Sequence, residues 1–249
     1  MSENNIKDAL QYAVTLREKQ DLIHEVDGKT YYDETKGSLR EVEPIKYANT
    51  LTVNTLTGLV DFLKDEFEND DPSDSKLIIQ VDSPTKVSVY SQLNADRKRE
   101  SLIKAEALID GFPYGRFQES EKFIINVQSL IQRDLDAEAI LACAASIRIE
   151  GGADLQDNGI SQIVSARMGA ATVGKAEVPN PAELRPYRTF LEVEQPSSQF
   201  VFRINKDGDC ALFEADGGIW KNYAMQNIKE YLEASLAEEI KEKFVTVIA

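Results

Sequence analysis

Residues 184–223 read LRPYRTFLEVEQPSSQFVFRINKDGDCALFEADGGIWKNY, and this stretch decides the fold. It holds the single Trp, four of the ten Phe and three Arg of the chain. Residues 188–194, 199–204 and 210–215 are short segments separated by turn residues, and the first of them alternates between apolar and polar, so each is predicted to be a strand. Gly208 and Gly217 each follow an Asp and supply the positive φ that tight hairpin turns require. We therefore expect an antiparallel meander at the heart of the core.

Helices and further strands surround this meander. Apolar residues at helical spacing predict amphipathic helices over residues 4–23, 56–68, 121–132, 136–146 and 224–243. Alternating or short apolar runs predict a hairpin over 26–32 and strands over 51–53, 77–81, 87–92, 101–108, 147–150, 160–167 and 245–248. This order indicates an α+β fold in which antiparallel meanders pack with amphipathic helices. We expect one domain over residues 1–249, with subdivision conceivable near 110–120 or 175.

The composition narrows the class of partner. The net charge is −15, with 43 acidic against 28 basic residues, which makes nucleic acid an unexpected partner because phosphate contacts need a basic face. No apolar run is long enough for a membrane span, and no secretory signal opens the chain. Because the sequence shows neither a membrane span nor a secretory signal, we expect a cytoplasmic protein. Its two Cys are too few for a disulfide framework. Solubility explains the acidity most simply, and a surface that meets a basic partner is the alternative.

Motifs for catalysis are missing from the sequence. The only histidine, His24, has no companion ligand at metal spacing and is expected at the end of the first helix. No Cys-x-x-Cys pair, glycine-lysine phosphate loop or dinucleotide fingerprint occurs, and Cys143 has no plausible base nearby in sequence. We therefore predict no catalytic residue, no cofactor and no metal, and the sequence favours a protein that is not an enzyme.

Two sets of residues keep other chemistry open. Carboxylates at predicted turns could converge on a metal in a hydrolase or nuclease, although turn formation explains them more simply; they are Asp154, Asp157, Asp207, Asp209 and Asp216. Arginines and aromatic rings could bind a small phosphate-bearing ligand; they are Arg116, Arg185, Tyr187, Arg188, Phe190, Arg203 and Trp220. The alternative for the second set is an interior meander whose arginines pair with Glu192 or Glu194.

The meander also resembles a known family. Residues 186–190 (PYRTF), 192–203 (EVEQPSSQFVFR) and 211–218 (ALFEADGG) are similar to the C-terminal signature of the YfdQ-like family of uncharacterised phage and prophage proteins. Residues 81–89 and 157–162 agree more loosely, so the similarity spans roughly residues 50–240. The resemblance implies a phage origin and a role inside the infected cell, in the host cytoplasm. It implies no catalytic residues.

These observations lead to one main hypothesis and two alternatives. The main hypothesis is a non-enzymatic phage or prophage accessory protein that binds a host or phage protein, as a homo-oligomer. The first alternative is a binder of a small nucleotide signal that counters host defence. The second is a metal-dependent hydrolase or nuclease. The sequence leaves open whether the protein is a virion component.

Overall fold

The chain contains two compact units of unequal size. A computed structural model of the 249-residue protein describes residues 3–20, 23–33, 39–42, 49–65, 76–95, 97–146, 154–157, 162–165 and 178–249. Contacts between Cα atoms divide the chain into Met1–Ala48 and Asn49–Ala249, whereas the sequence suggested division near 110–120 or 175. The α+β class is confirmed.

The first unit has one helix and a three-stranded antiparallel sheet. Its elements are α1 (Glu3–Gln20), β1 (Ile23–Val26), β2 (Lys29–Asp33) and β3 (Leu39–Glu41), with the sheet in that order. The predicted hairpin is confirmed, since Asp27 and Gly28 both have positive φ, 51° and 76°, as a two-residue turn of this hand requires. His24 lies on β1 and not at a helix end as predicted, because α1 ends at Gln20.

The second unit carries the remaining elements. In chain order they are β4 (Leu51–Val53), α2 (Leu56–Lys64), β5 (Leu77–Ser83), β6 (Lys86–Ser91), β7 (Ser101–Glu106), α3 (Ser120–Leu130), α4 (Leu135–Ser146), β8 (Asp154–Asp157), β9 (Gln162–Ser165), β10 (Ala182–Leu184), β11 (Ser198–Ile204), β12 (Cys210–Glu214), α5 (Trp220–Ser235), α6 (Ala237–Lys241) and β13 (Val245–Ile248). The strand predicted over 147–150 lies outside the described residues. The helix predicted over 224–243 is two helices, α5 and α6, which are separated at the buried Leu236.

A five-stranded mixed sheet forms the first core of this unit. Its order is β13-β5-β6-β7-β4, so the predicted antiparallel meander β5-β6-β7 is confirmed and gains a parallel strand at each edge. The helices α2 and α5 pack on the sheet through apolar side chains such as Leu59 and Ile228, both fully buried. Thr55 caps α2, because its hydroxyl accepts a hydrogen bond from the Gly58 amide at 3.1 Å.

The second core lies between α3, α4 and the antiparallel sheet β10-β11-β12. The chain passes from the first core to the second between Ala107 and Phe112. Aromatic rings link the elements of the second core. The ring of Phe123 on α3 lies 5.6 Å from that of Phe202 on β11, and Tyr114 stacks on Phe200 with ring centroids 5.3 Å apart.

The segment between β10 and β11, residues 185–197, corrects one prediction. Residues 188–194 were predicted as a strand, and this is wrong: β10, which lies before them, pairs with β11 instead. The buried side chain of Gln195 supplies the hydrogen bonds that a neighbouring strand would give. Its oxygen accepts from the amides of Arg188 (2.9 Å) and Thr189 (3.2 Å), and its nitrogen donates to the carbonyls of Phe190 (3.0 Å) and Val193 (3.3 Å).

Residues 185–197 also tie the second unit together. Phe190 and Val193 insert into the first core, and the Thr189 hydroxyl donates to the Pro84 carbonyl at 2.5 Å. The carboxylate of Glu192 accepts from the Leu56 amide at 2.8 Å, at the start of α2, where negative charge is favoured by the helix dipole. This short stretch therefore fixes how the two cores meet.

The role of Gln195 gives a testable prediction. We expect Gln195→Ala to lower the free energy of unfolding by about 2–4 kcal/mol, because buried amides and carbonyls of residues 188–193 would lose their partner. Urea unfolding followed by the fluorescence of the single Trp, Trp220, measures the change. Gln199→Ala, at an exposed position on β11, is the control. Equal stability of the two variants would contradict the role assigned to Gln195.

Candidate functional site

The structure brings two of the seven predicted pocket residues into direct contact. The guanidinium carbon of Arg188 lies 4.0 Å from the centroid of the Trp220 ring. The other five residues are placed as follows: Arg116 and Arg185 are exposed, Tyr187 and Arg203 are half-buried, and Phe190 is buried in the first core. Arg203 donates from Nη1 to the carbonyl of Phe202 at 3.0 Å.

Arg188 is the centre of a buried site that combines polar and aromatic contacts. Its side chain is only 9% exposed, and its guanidinium lies between the Trp220 ring and the Phe200 ring, whose centroid is 5.5 Å away. Nη1 donates to Glu214 Oε1 at 2.9 Å and Nη2 donates to the Ser198 hydroxyl. A planar cation with hydrogen-bond donors on its rim suits this arrangement of two rings and two acceptors.

Two carboxylates compensate the charge of Arg188. Glu214 pairs with it directly, and the Ser198 hydroxyl continues the chain of hydrogen bonds to Asp216 Oδ2 at 2.7 Å. Asp216 also accepts from the Gly218 amide at 2.9 Å, close to the start of α5. Burial lowers the pKa of Arg188, opposed by Tyr114, Glu214 and Asp216, and the guanidinium stays charged because arginine starts above about 12.

Three buried polar atoms at this site, one of them in the guanidinium itself, have no hydrogen-bond partner in the described part of the chain. They are Arg188 Nε, Trp220 Nε1 and the Tyr114 hydroxyl. Burial raises the pKa of Tyr114, partly offset by the charge of Arg188. Buried donors of this kind cost free energy unless water or another group satisfies them.

A shallow cavity of 360 Å³ lies beside the Arg188 site. It is lined by Glu183, Ser197, Ser198, Gln199, Asp216 and Ile219. Two of these residues are acidic and none is basic, so the electrostatic potential opposes a phosphate or carboxylate ligand. Arg188, which the sequence suggested as a ligand-binding residue, instead pairs with Glu214 and Ser198 inside the protein.

A larger groove, of 580 Å³, opens where the start of α3 meets the β11–β12 turn. It is lined by Glu119, Ser120, Glu121, Ile124, Ile125, Ala145, Asp207, Gly208 and Asp209. Four of these residues carry carboxylates and none is lysine or arginine, while Ile125 is 56% exposed. We call this surface the acidic groove. Its combination of apolar and acidic side chains suits a basic, partly apolar segment of a partner.

Asp207 and Asp209 were predicted as turn residues, and that role is confirmed. The side-chain oxygen of Asn205 accepts from both of their amides at 2.9 Å, and Gly208 has φ 85°. Glu119 and Glu121 were not singled out from the sequence, because nothing local relates the start of α3 to a turn some 90 residues later in the chain.

The remaining candidates for chemistry are separated or buried. No group of three His, Cys, Asp or Glu side chains that could hold a metal occurs among the described residues. Asp209 and Asp216 flank opposite ends of β12, and the rise per residue of a strand puts them about 20 Å apart. The side chains of Asp154 and Asp157 lie outside the described residues. Burial raises the pKa of Cys210 to about 12 and also raises that of Cys143, which disfavours the reactive thiolate.

The comparisons with known proteins add no relative. No protein-family model, no curated protein and no solved structure matches this chain. The resemblance to the YfdQ-like family therefore stays a prediction. Among the described residues, no helix has both the length and the apolar character needed to cross a bilayer.

Asp216 gives a prediction for stability at low pH. Burial alone would raise its pKa, but hydrogen bonds from Ser198 and Gly218 and the charge of Arg188 together lower it below the ordinary value of about 4. A carboxyl group with a lower pKa in the folded state stabilises the fold above about pH 4, and this contribution is lost as the pH falls further.

We therefore expect Asp216→Asn to be less stable than the wild type at pH 7, with the difference shrinking as the pH falls below about 4. Urea midpoints measured by Trp220 fluorescence across a pH series test this. Asp110→Asn, which removes an exposed carboxylate, is the control. A difference between Asp216→Asn and the wild type that persists unchanged at low pH would contradict the prediction.

Proposed function

We propose that this is a non-enzymatic binding protein that engages a basic segment of a partner protein through the acidic groove. The observation that carries the proposal is the composition of the groove: four carboxylates, three apolar side chains and no basic residue in its described lining. The net charge of −15 acts in the same direction, because it attracts basic partners at long range.

Both parts of the groove contribute to recognition. The carboxylates of the acidic groove accelerate and orient the encounter with lysine and arginine side chains of the partner. The exposed Ile125 and the half-buried Ile124 offer apolar contact that steering charge alone does not give. The start of α3 and the β11–β12 turn, which carry these carboxylates, are fixed together. Gln118, next to Glu119, exchanges backbone hydrogen bonds with Cys210 at 2.8 and 2.9 Å. The groove is therefore preformed.

The alternative of a nucleotide-signal binder has less support. It needs an arginine that faces a cavity with its charge free, whereas Arg188 is paired with Glu214 and Ser198 and the adjoining cavity is acidic. The alternative of a metal-dependent hydrolase or nuclease would have to use side chains outside the described residues, such as Asp154 and Asp157.

The biological setting of the proposal comes from the resemblance alone. Similarity to the YfdQ-like family supports a phage or prophage accessory protein that works in the cytoplasm of the host cell on a host or phage protein. The acidic groove is compatible with either kind of partner.

Charge reversal in the groove tests the proposal. The wild type and the double variant Glu119→Lys/Glu121→Lys are each immobilised and exposed to a lysate of phage-carrying cells. The bound proteins are quantified by mass spectrometry. We expect specific, salt-sensitive capture of basic proteins by the wild type and a loss of roughly tenfold or more in the variant, because attraction becomes repulsion.

The matched control is Glu238→Lys with Glu239→Lys. It makes the same change in net charge at the exposed Glu238 and the half-buried Glu239, in the first turn of another helix, α6. The proposal predicts that this control keeps wild-type capture. Equal loss in both variants would mean that only net charge matters, and unchanged capture in the groove variant would exclude the groove.

A further inference from the structure

Three buried polar atoms around the Arg188 guanidinium need a hydrogen-bond partner that the described chain does not supply. They are Arg188 Nε, Trp220 Nε1 and the Tyr114 hydroxyl. Buried polar groups are almost always hydrogen-bonded, and a bound molecule makes the bond where the protein does not. The positions, directions and charges of the neighbouring groups indicate which molecule this is.

The three side chains share one set of neighbours. The guanidinium carbon of Arg188 lies 4.0 Å from the centroid of the Trp220 ring and 5.5 Å from that of Phe200, and Tyr114 stacks on the same Phe200 ring. Burial raises the pKa of Tyr114, and the charge of Arg188 is the largest effect that opposes this, so the hydroxyl lies near the guanidinium. One small molecule spans polar atoms that are about 4–5.5 Å apart, because it lies about 2.8 Å from each.

The unpaired N–H of Arg188 is directed toward a cavity. In a guanidinium the Nε–H bond is parallel to one Nη2–H bond, which is why this edge binds two acceptors side by side. Nη2 of Arg188 donates to the Ser198 hydroxyl, so Nε points to the same side. Ser198 lines the cavity of 360 Å³ beside the site. A side chain that is only 9% exposed therefore directs a free donor toward the open side of the site.

The charges of the site select a neutral molecule. Glu214 and Asp216 oppose an anion, and the guanidinium itself opposes a cation. The molecule has to accept hydrogen bonds from two N–H groups, and it has to be small because the three atoms that it contacts are buried. Water meets these conditions, and two to four hydrogen bonds are typical of a buried water.

We infer that one ordered water molecule is bound between Arg188, Trp220 and Tyr114. It accepts hydrogen bonds from Arg188 Nε and Trp220 Nε1 and donates one to the Tyr114 oxygen. This water joins the two cores, because Tyr114 packs against the second core and Trp220 begins α5, which packs on the first. The inference makes no use of the acidic groove and is independent of the proposed function.

A crystal structure of the full chain tests the inference directly. We expect density for one water within about 3.2 Å of Arg188 Nε and of both other atoms. Density for an anion or for a larger molecule at this position would overturn the inference. A direct hydrogen bond from Nε to the protein, or an ordered site without density, would overturn it too.

Nuclear magnetic resonance tests the same site in solution. Trp220 is the only tryptophan, so isotope-labelled protein gives a single indole N–H signal, and bulk water does not contact this buried nitrogen. We expect a cross-peak between the indole proton and water that has opposite signs in NOESY and ROESY spectra, as direct contact requires. Proton exchange would give equal signs in both spectra, and that result in the wild type would contradict the inference.

Tyr114→Phe separates bound water from the tyrosine hydroxyl, whose proton exchanges with solvent and relays a signal. The cross-peak should remain in this variant, because Arg188 and Trp220 still hold the water. Tyr223→Phe, which removes an exposed hydroxyl on α5, is the matched control and should give the wild-type spectrum. A cross-peak that is lost in Tyr114→Phe but kept in Tyr223→Phe would identify the hydroxyl as its source and overturn the inference.

Discussion

The buried guanidinium of Arg188 is the interaction on which the larger unit depends. It lies between Phe200, which belongs to the second core, and Trp220, which begins the helix that packs on the first core. A charged group this far from water is costly unless it is paired, and Glu214 and Ser198 pair with its two terminal nitrogens, while Nε has no partner in the described part of the chain. Because the neighbouring residues Phe190 and Val193 enter the first core, this one site fixes both the path of residues 185–197 and the meeting of the two cores.

This use of Arg188 directs the functional interpretation. An arginine among aromatic rings is typical of phosphate recognition, but here two carboxylates already balance the charge and the adjoining cavity is acidic. The unbalanced charge of the unit lies instead in the acidic groove, where four carboxylates meet without a basic residue in the described lining. The interior arginine therefore serves the fold, and the surface acids are the basis of the proposed recognition of a basic partner.

Local signals in the sequence were sufficient for the features that depend on neighbouring residues. Thr55 as a helix cap and Asp27-Gly28 as a hairpin turn were both predictable, because cap and turn chemistry act over two or three residues. The alternation of residues 188–194 led to a wrong strand prediction. The Gln195 side chain replaces the hydrogen bonds of a neighbouring strand, and an alternating pattern does not indicate such a replacement. Arg188 and Trp220 were named from their residue types. The pairing of Arg188 with Glu214, 26 residues away, arises from tertiary contacts that no local pattern encodes. The same holds for the meeting of Glu119 and Asp209 in the lining of one groove.

Hydrogen–deuterium exchange of Arg188→Lys tests most directly whether Arg188 joins the two cores. A lysine keeps the charge but loses the planar contact with both rings and the two-sided hydrogen bonding. The account predicts faster exchange in β11 of the second core and in the first turns of α5, while Arg185→Lys, an exposed control in the same segment, exchanges as the wild type does. Faster exchange confined to β11 and β12, with α5 unchanged, would contradict the claim that this guanidinium holds the cores together.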